Sequence, residues 1–588
     1  MEYYKPNVSN QIYLTQFSLI VENQFIYLPY SVASLWAYSE KYKIVSRNEL
    51  KNIFFYKEPI DDILKKIINP TLVGFSNYVW NENYNDTLAA KIKEKYPNCL
   101  IVYGGPQVPD DQIVWYNKRP FIDVCVHQEG EITFSQILKN KNFKDIKGIT
   151  YNTGKEWIKT SNSTRIKNFE SVPSPYLMGL FDKIDRPKNL TLNAIFEFDR
   201  GCPYKCTFCD WGGTTFSKIK KANLNRIYDE IEWAGKNKID MFWSANANFG
   251  ILKERDKNIV NKLIETNKKY NYPKLFDTSW AKNSNGFVVS LAKKLHDASL
   301  LRKYGISIQS LNENVLKNIK RTNLKINQFD DIVELTKQHQ MNIMIELIVG
   351  LPGETLHSWI DNYTKLMQND NLCIESYPCT LLNNSELTKD IIKYGIKYKN
   401  VKLDDTEITE YARQIISTNS LSHQEMKKIW KWTWCARLGH TLGITNEIVK
   451  YLFNKKYSIK EFYNNWFYFI STSKGLLNKK FNEWNVYLES YDFQSFIFKY
   501  DYLDDIGWHF RDQTLKDLTI FLSEYYNKEN TDKLISLFDT YYYTPDYIYP
   551  RIINGITISH PGMGQIKNYS SFIGLNRKNK GWRCGIEI

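Results

Sequence analysis

Three cysteines crowded into eight residues constrain this chain more than any other feature. They are Cys202, Cys206 and Cys209, spaced as C-x3-C-x2-C and preceded by an Arg-Gly pair. Thiolates from one short loop can hold three irons of a cubane iron–sulfur cluster, which leaves the fourth iron open to bind a small molecule. A structural zinc ion needs four protein ligands, and the nearest downstream histidine is His296. The spacing therefore favours a cluster over zinc and over three unrelated core thiols.

The segment from Glu197 to Trp211 resembles the signature of the radical S-adenosylmethionine (radical SAM) superfamily. Its cysteine spacing and the residues on either side are similar to the branch that carries a cobalamin-binding domain in front of the radical SAM barrel. The resemblance covers roughly residues 15 to 375. It leaves the C-terminal third of the chain unexplained.

Composition limits the classes of protein to which the chain can belong. Its 588 residues are too many for one domain, and 43% hydrophobic residues are enough for several cores. The net charge of +14 is spread over lysines without a basic run, which does not indicate nucleic-acid binding. No signal peptide follows Met1, and no run approaches the ~20 apolar residues of a membrane span. We therefore expect a cytoplasmic protein without a membrane partner, whose nine cysteines are free thiols and cluster ligands.

Residues 1–165 alternate apolar runs with helical patterns, which predicts a parallel α/β sheet. Predicted strands lie at Leu72–Phe75, Leu100–Tyr103 and Val124–Val126, and a helix is predicted at Ser34–Tyr38. Ligands of such sheets bind at the carboxyl ends of the strands, where glycines let backbone N–H groups approach closely. Five residues at those ends are candidate cofactor contacts: Ser76, Asn77, Gly104, Gly105 and Gly130.

This front block resembles the cobalamin-binding domain of the same superfamily branch. Gly104–Pro109 and His127–Glu131 are similar to its loops around the nucleotide tail of the cofactor, which makes Glu129 a further candidate contact. The sequence lacks Asp-x-His-x-x-Gly, by which some cobalamin proteins place a histidine on cobalt. The lower face of cobalt is therefore expected to be open or covered by another side chain, and His127 is at least equally consistent with a loop residue. A plain Rossmann nucleotide domain is the alternative, although Gly-x-Gly-x-x-Gly is absent too.

The rest of the chain divides into a linker, a second α/β region and a helical region. Residues 166–190 are the predicted linker, rich in proline and serine around Ser171–Tyr176. Residues 191–400 again alternate strands and helices, which predicts a partial (β/α)6 TIM-like barrel. Residues 401–588 are predicted to be mainly helical, as a lid, a substrate-recognition module or a structural cap. Their aromatic residues include Trp430, Trp432, Trp434 and Tyr541–Tyr543.

The resemblance implies a cofactor set and a reaction. Cys202, Cys206 and Cys209 would hold a [4Fe–4S] cluster, and Phe208 would lie beside the adenine of S-adenosylmethionine. Cleavage of that cofactor would give a 5′-deoxyadenosyl radical, which would take hydrogen from an unactivated carbon. Methylcobalamin would donate the methyl group, and a flavodoxin or ferredoxin would be the reductant. C-methylation of a peptide or natural product is therefore the function we expect.

The resemblance also implies further contacts to S-adenosylmethionine. Where the superfamily has a Gly-Gly-Glu-like segment for the amino group, this chain has Ser244, Asn246 and Asn248. Their side-chain and backbone oxygens can accept from an ammonium group. Gln309 and Glu346 fall where the superfamily places ribose and carboxylate contacts, although a lone buried glutamate is equally consistent with a structural ion pair.

Three other functions stay open. Some proteins of the resembling branch use the same cofactors for ring contraction or cyclisation. A radical SAM peptide epimerase would return a hydrogen atom from a cysteine thiol, although inert core thiols explain the candidates as well. A zinc-containing nucleic-acid binder would use the net charge, but a fourth zinc ligand is missing. The candidate hydrogen donors are Cys373, Cys379, Cys435 and Cys584.

Overall fold

The computed structural model describes most of the chain and divides it into two compact units. The first comprises residues 1–279, 381–389 and 403–412, and the second comprises 280–380, 390–402 and 413–588. The described residues are 10–18, 25–139, 141–182, 190–211, 217–301, 304–339, 341, 343–369, 372–403, 407–441, 443–490, 511–526, 531–535, 552–553 and 556–557. Four features of the sequence lie outside them: the residues around Met1, Tyr541–Tyr543, Cys584 and most of the tail after Gly555.

Strands and helices alternate through most of the described chain. In chain order the strands are β1 (Ile12–Thr15), β2 (Phe25–Tyr27), β3 (Leu50–Phe54), β4 (Leu72–Ser76), β5 (Leu100–Gly104), β6 (Val124–Val126), β7 (Ile149–Asn152), β8 (Trp157–Lys159), β9 (Thr191–Phe196), β10 (Asp199–Arg200), β11 (Lys220–Lys221), β12 (Met241–Phe249), β13 (Leu275–Trp280), β14 (Tyr304–Gln309), β15 (Ile343–Val349), β16 (Leu372–Pro378), β17 (Lys397–Lys402), β18 (Tyr411–Ser417), β19 (Ile552–Ile553) and β20 (Ile556–Thr557).

The helices cover the sheets and make up most of the described residues after β18. They are α1 (Tyr30–Lys41), α2 (Ile60–Lys66), α3 (Glu82–Lys95), α4 (Ile113–Asn117), α5 (Gly130–Leu138), α6 (Leu224–Lys236), α7 (Lys253–Tyr270), α8 (Gly286–Asp297), α9 (Glu313–Asn318), α10 (Ile326–Gln338), α11 (Leu356–Leu366), α12 (Glu386–Lys389), α13 (His423–Gly439), α14 (Asn446–Asn454), α15 (Ile459–Thr472), α16 (Leu476–Ser490) and α17 (Arg511–Tyr525).

A seven-stranded sheet forms the front of the first unit, in the order β3-β1-β4-β5-β6-β7-β8. The strands β1, β3, β4, β5 and β6 are parallel, and β7 and then β8 extend the sheet as antiparallel strands. Every residue of β4 is buried, as expected for a parallel strand covered on both faces. The predicted strands β4, β5 and β6 and the helix at Ser34–Tyr38 are confirmed.

A second sheet of the first unit has the order β13-β12-β9-β2. The strand β2 lies parallel to β9, so Phe25–Tyr27 belongs to this second sheet although the segment falls within residues 1–165. Phe196 of β9 stacks on Phe242 of β12 with ring centroids 3.7 Å apart. The apolar face of α6 is buried through Ile227, Ile231 and Ala234. These contacts fix the strand that leads directly into the cysteine loop.

The second unit contains the parallel sheet β14-β15-β16 and a group of aromatic-rich helices. The residues Trp430, Trp432 and Trp434 are all buried within α13. Trp434 stacks on Trp484 of α16, and Trp466 of α15 is fully buried. Helices predominate among the described residues after β18, as predicted for residues 401–588, and the tryptophans of these helices form a core. Among the described residues, no helix is both long enough and apolar enough to cross a bilayer.

Candidate functional site

The cysteine loop follows β9 and β10 and is anchored on both sides. Cys202 and Cys206 are 4% and 3% exposed, whereas Cys209 is half-buried. The backbone N–H of Cys209 donates to the carbonyl of Cys206, and the carbonyl of Cys202 accepts from Ser217 at 2.7 Å. Gly201 has φ of +128°, and a Cβ atom there would lie 2.5 Å from the carbonyl oxygen of Lys218. Glycine is therefore required for the tight entry into the loop.

The carboxyl end of β12 supplies a row of polar side chains beside this loop. Ser244 donates to the amide oxygen of Asn246, and Asn246 donates to the carboxylate of Asp199. Asn248 donates from Nδ2 to Sγ of Cys202, at 3.5 Å. All of these residues are buried. Burial raises the pKa of Asp199 to about 7, so a carboxyl group next to the loop titrates near neutral pH.

Arg200, directly before the loop, is the centre of a buried ion-pair network. Its guanidinium binds both carboxylate oxygens of Glu131, at 2.8 and 3.2 Å, and both of Glu197, at 2.7 and 2.8 Å. The guanidinium also lies 4.8 Å from the ring centroid of Phe169. Burial lowers the pKa of Arg200, but the charges of Glu131 and Glu197 outweigh this and raise it well above its usual value. Because Glu131 belongs to α5, the network ties the front sheet region to the cysteine loop.

Buried polar atoms without partners lie at the carboxyl edge of the seven-stranded sheet. Oγ1 of Thr15 and Nδ2 of Asn77 have no hydrogen-bond partner among the described residues, and both residues are 0% exposed. Gly105 has φ of +101°, and a Cβ atom there would lie 2.6 Å from the carbonyl oxygen of Asn77. An unpaired buried polar group is costly, so these atoms fit an edge that is completed by a polar ligand.

His127 is held by its neighbours in the front sheet region. Its Nε2 lies 2.8 Å from Oγ1 of Thr150, and its Nδ1 lies 3.3 Å from a carboxylate oxygen of Asp110. The neighbouring ring of His127 lowers the pKa of Asp110. These contacts favour the loop role of His127 over cobalt ligation.

The same part of the molecule shows how Glu129 is used. Its carboxylate accepts from the backbone N–H of Ile166 at 2.6 Å and from Arg165 at 3.1 Å. It also lies 3.7 Å from Arg200 and 3.9 Å from Lys220. Glu129 therefore holds the linker against the cysteine loop, while its predicted contact with a cofactor stays a prediction.

A site for a single metal ion requires several ligand side chains around one point, which differs from the arrangement that holds a cluster. In the part of the chain that the structure describes, no group of three His, Cys, Asp or Glu side chains is arranged around one metal ion. Cluster ligands differ because each thiolate binds its own iron. The assignment of Cys202, Cys206 and Cys209 as cluster ligands stays a prediction.

Comparison with known proteins identifies the region that holds the loop. The family model described as the radical SAM superfamily matches residues 196–366. The chain contains a radical SAM domain. The match begins at the last residue of β9 and runs through the cysteine loop to the end of α11.

Curated relatives extend the similarity beyond the radical SAM domain. The cobalamin-dependent radical SAM methyltransferase TokK from Streptomyces tokunonensis is 32% identical over 387 residues, covering 64% of this chain and 57% of TokK. The 2-(S-pantetheinyl)-carbapenam-3-carboxylate methyltransferase from Streptantibioticus cattleyicolor is 29% identical over 449 residues, covering 73% of this chain and 66% of the relative. The matches thus span about three fifths of the length of these relatives.

Solved structures share the fold at low sequence identity. TsrM from Kitasatospora setae, solved with cobalamin and a [4Fe–4S] cluster, has a TM-score of 0.52 at 14% identity, covering 66% of this chain and 77% of TsrM. OxsB, solved with aqua-cobalamin and S-adenosylmethionine, has a TM-score of 0.52 at 14% identity, covering 90% of this chain and 79% of OxsB. The chain therefore has a mixed α/β fold similar to these cobalamin-dependent radical SAM enzymes.

Two predicted residues of the radical SAM domain lie in the second unit. Ser307, Glu346 and Glu375 occupy the same register on β14, β15 and β16, and Ser307 donates to the carboxylate of Glu346. Gln309 ends β14 with a left-handed φ of +71°, a conformation that costs energy for a residue with a side chain. As cofactor contacts, Gln309 and Glu346 stay predictions, and so does the half-buried Phe208 of the loop.

Three cysteines that follow the radical SAM domain in the sequence are core residues. Cys373, Cys379 and Cys435 are each no more than 2% exposed. Burial raises the pKa of Cys379 to about 12 and that of Cys435 well above its usual value. Thiols in this state are unreactive as nucleophiles, which is typical of structural cysteines.

Several buried ionic contacts have no clear signal in the sequence. Glu375 pairs with Arg437 at 2.9 Å, and both side chains are nearly inaccessible. Glu410, 0% exposed, accepts from the backbone N–H groups of Asn83 and Tyr84 at 2.8 and 2.9 Å. It thereby caps α3 from a segment 327 residues further along the chain. Only Arg200 could have been suspected beforehand, since it stands inside the cysteine motif.

Proposed function

We propose that this protein is a cobalamin-dependent radical SAM enzyme that methylates an unactivated carbon. The observation that carries the proposal is the anchored loop with Cys202, Cys206 and Cys209 inside a radical SAM domain. When bound, the cluster supplies one electron, S-adenosylmethionine the radical source, and cobalamin the methyl carrier. The relatives named as methyltransferases support methyl transfer over ring contraction or cyclisation.

The residues around the loop fit a cluster. Two of the three thiols are buried, which excludes water from most of the site, while Cys209 is half-buried. Asn248 offers an N–H group to the sulfur of Cys202, a contact that suits a thiolate better than a neutral thiol. Arg200 and its carboxylates hold the entry of the loop in one position. The chain thus binds and orients the cluster through groups that are already fixed.

The front sheet fits a large polar ligand such as cobalamin. The unpartnered atoms of Thr15 and Asn77 lie at the edge where parallel sheets bind ligands. We infer that Ser76, Asn77, Gly104 and Gly105 contact the cofactor, and that Gly130 admits it at the start of α5. Thr15 is an addition that the sequence did not indicate.

S-adenosylmethionine would be bound by residues at the ends of the radical SAM strands. We include Phe208, Gln309 and Glu346 among its contacts, together with oxygen atoms of the segment from Ser244 to Asn248. The finer layout is part of the same proposal: a Rossmann-like cobalamin domain at 1–165, a linker at 166–190, a partial (β/α)6 barrel at 191–400 and a helical domain at 401–588.

Partners and substrate follow from chemistry and from the relatives. The cluster needs an external electron, so a flavodoxin or ferredoxin is the proposed reductant. No disulfide joins any of the eight described cysteines, which suits a reducing compartment such as the cytoplasm. A small natural product or peptide is the proposed substrate. The named substrate of one relative, 2-(S-pantetheinyl)-carbapenam-3-carboxylate, is the first compound to test.

Anaerobic purification and reconstitution test the proposal. The wild-type protein should be brown with about four irons per chain, bind corrinoid, and transfer a labelled methyl group from S-adenosylmethionine. Cys206→Ser should lose the iron, whereas Cys99→Ser, a matched change at a buried cysteine of the front sheet region, should retain it. Bound zinc in place of iron would refute the proposal. Deuterium uptake from solvent without methyl transfer would favour an epimerase.

A further inference from the structure

The side chain of Asn248 makes a contact that the proposed function does not require. It sits at the end of β12 and donates from Nδ2 to Sγ of Cys202, at 3.5 Å. Both residues are 4% exposed, so water does not compete for this bond. The sequence suggested the oxygen atoms of Asn248 as contacts for an amino group, and in the structure its side-chain amide N–H points to a cysteine sulfur.

Neighbouring bonds hold Asn248 in this position. Two residues earlier on the same strand, Asn246 donates to Asp199, which stands three residues before Cys202. Ser244 in turn donates to Asn246. Alternate side chains of β12 thus bind both the lead-in and the first cysteine of the loop. The N–H group of Asn248 is fixed toward the sulfur before any cofactor is bound.

A hydrogen bond to a thiolate changes the properties of an iron–sulfur cluster. The N–H group draws electron density from the sulfur, which stabilises the more negative, reduced cluster over the oxidised one. Hydrogen bonds to the sulfurs are among the factors that set cluster reduction potentials. Partners of metal ligands are known to alter the properties of the bound metal strongly.

We propose that Asn248 is a positioning residue that raises the reduction potential of the cluster through its N–H···S bond to Cys202. The inference rests on the proposed function, because it requires a cluster on the three cysteines. It assigns to Asn248 a part in how readily the cluster accepts an electron from the reductant.

The test compares reconstituted wild-type protein with Asn248→Leu, which keeps the side-chain size and removes the donor. Potentiometric titration followed by EPR gives the reduction potential of each. We expect the ratio of reduced to oxidised cluster at a fixed potential to fall roughly tenfold in the variant. For a one-electron couple this corresponds to a shift of about 59 mV to more negative values.

Two further variants separate the bond from general disturbance of the site. Asn193 lies on the neighbouring strand β9, is 1% exposed, and has no hydrogen-bond partner for its amide among the described residues. Asn193→Leu is therefore a matched buried change that should leave the potential unaltered. Asn248→Gln keeps an amide donor and should lie closer to wild type than Asn248→Leu.

A spectroscopic measurement on the wild-type protein covers the case in which Asn248→Leu fails to take up iron. Wild-type protein labelled with 15N at asparagine side-chain amides should show a pulsed-EPR coupling between the nitrogen of Asn248 and the reduced cluster. Asn248→Gln should lose this coupling, because its glutamine amide does not carry the label. An unchanged potential in an iron-loaded Asn248→Leu protein would overturn the inference, as would a missing 15N coupling. Neither result would contradict the proposed function, which is tested separately by the iron content and methyl transfer of the wild-type protein.

Discussion

Removing Arg200 should destabilise the first unit much more than removing one of its partners. Arg200→Met leaves Glu131 and Glu197, whose side chains are only 4% and 16% exposed, without the cation that pairs with both. Breaking a buried pair by deleting one partner costs about 3–5 kcal/mol, and we expect about 5 kcal/mol here because two carboxylates are affected. Glu131→Gln removes one carboxylate but leaves Arg200 paired with Glu197. Its cost should be about 2 kcal/mol, in the range of lost charge-assisted hydrogen bonds.

Urea denaturation of the cluster-free protein measures both values. The pH dependence adds a second check, because Arg200 holds the pKa of Glu131 below its usual value against the opposing effect of burial. In wild type this stabilises the fold above the unfolded-state pKa and is lost as the pH falls through the folded-state pKa. In Arg200→Met the stranded carboxylates instead favour protonation, so the deficit should shrink as the pH falls.

An exposed ion pair provides the control for this experiment. Lys91 and Asp61 are 2.6 Å apart, but their side chains are 42% and 71% exposed. Asp61→Asn should cause no measurable change, as is typical of surface pairs. Equal losses for Arg200→Met and Glu131→Gln, or a deficit that does not depend on pH, would refute the view of Arg200 as the centre of the network.

Three other predictions concern separate parts of the fold. The pKa of Asp199 is raised to about 7, so the folded state retains a proton that the unfolded chain releases, and wild-type stability should fall as the pH rises from about 4 to about 7. Urea titrations of Asp199→Asn should show a smaller dependence of stability on pH over this range. An unchanged dependence would contradict the raised pKa of Asp199. Glu410→Ala should cost about 3 kcal/mol and speed hydrogen exchange in the described residues of 403–412, whereas unchanged exchange there would show that the cap is dispensable. Trp466→Ala should cost about 3–5 kcal/mol in thermal or urea unfolding if α15 is core, and a loss of substrate binding without loss of stability would instead indicate a recognition surface.

The parts of the fold that the sequence predicts correctly depend on local patterns. Apolar runs closed by polar or glycine residues mark β4, β5 and β6 because each parallel strand is buried on both faces. The cysteine loop is recognisable because three thiols in eight residues have few structural uses. In each case the signal and the structure lie within the same short segment.

The parts that the sequence does not predict depend on partners far apart in the chain. Nothing near Phe25–Tyr27 shows that β2 joins β9 rather than β1, since both choices bury the same apolar residues. The sequence predicts Asn248 as a contact for S-adenosylmethionine, and only the folded arrangement shows that its N–H group also lies against Cys202. A buried carboxylate such as Glu410 has the same local sequence character as an exposed one.

The first unit is assembled from three stretches of chain, and this has a consequence for how the protein is made. Residues 381–389 and 403–412 belong to it, and Asn383 and Asn384 bind the backbone of the loop after β5 at 2.6 and 2.9 Å. A ribosome must therefore translate as far as Glu410 before the nascent front sheet can receive its last partners. A protein truncated near residue 280 would lack the carboxylate of Glu410 that caps the start of α3. Co-expression of the missing stretch should restore this cap.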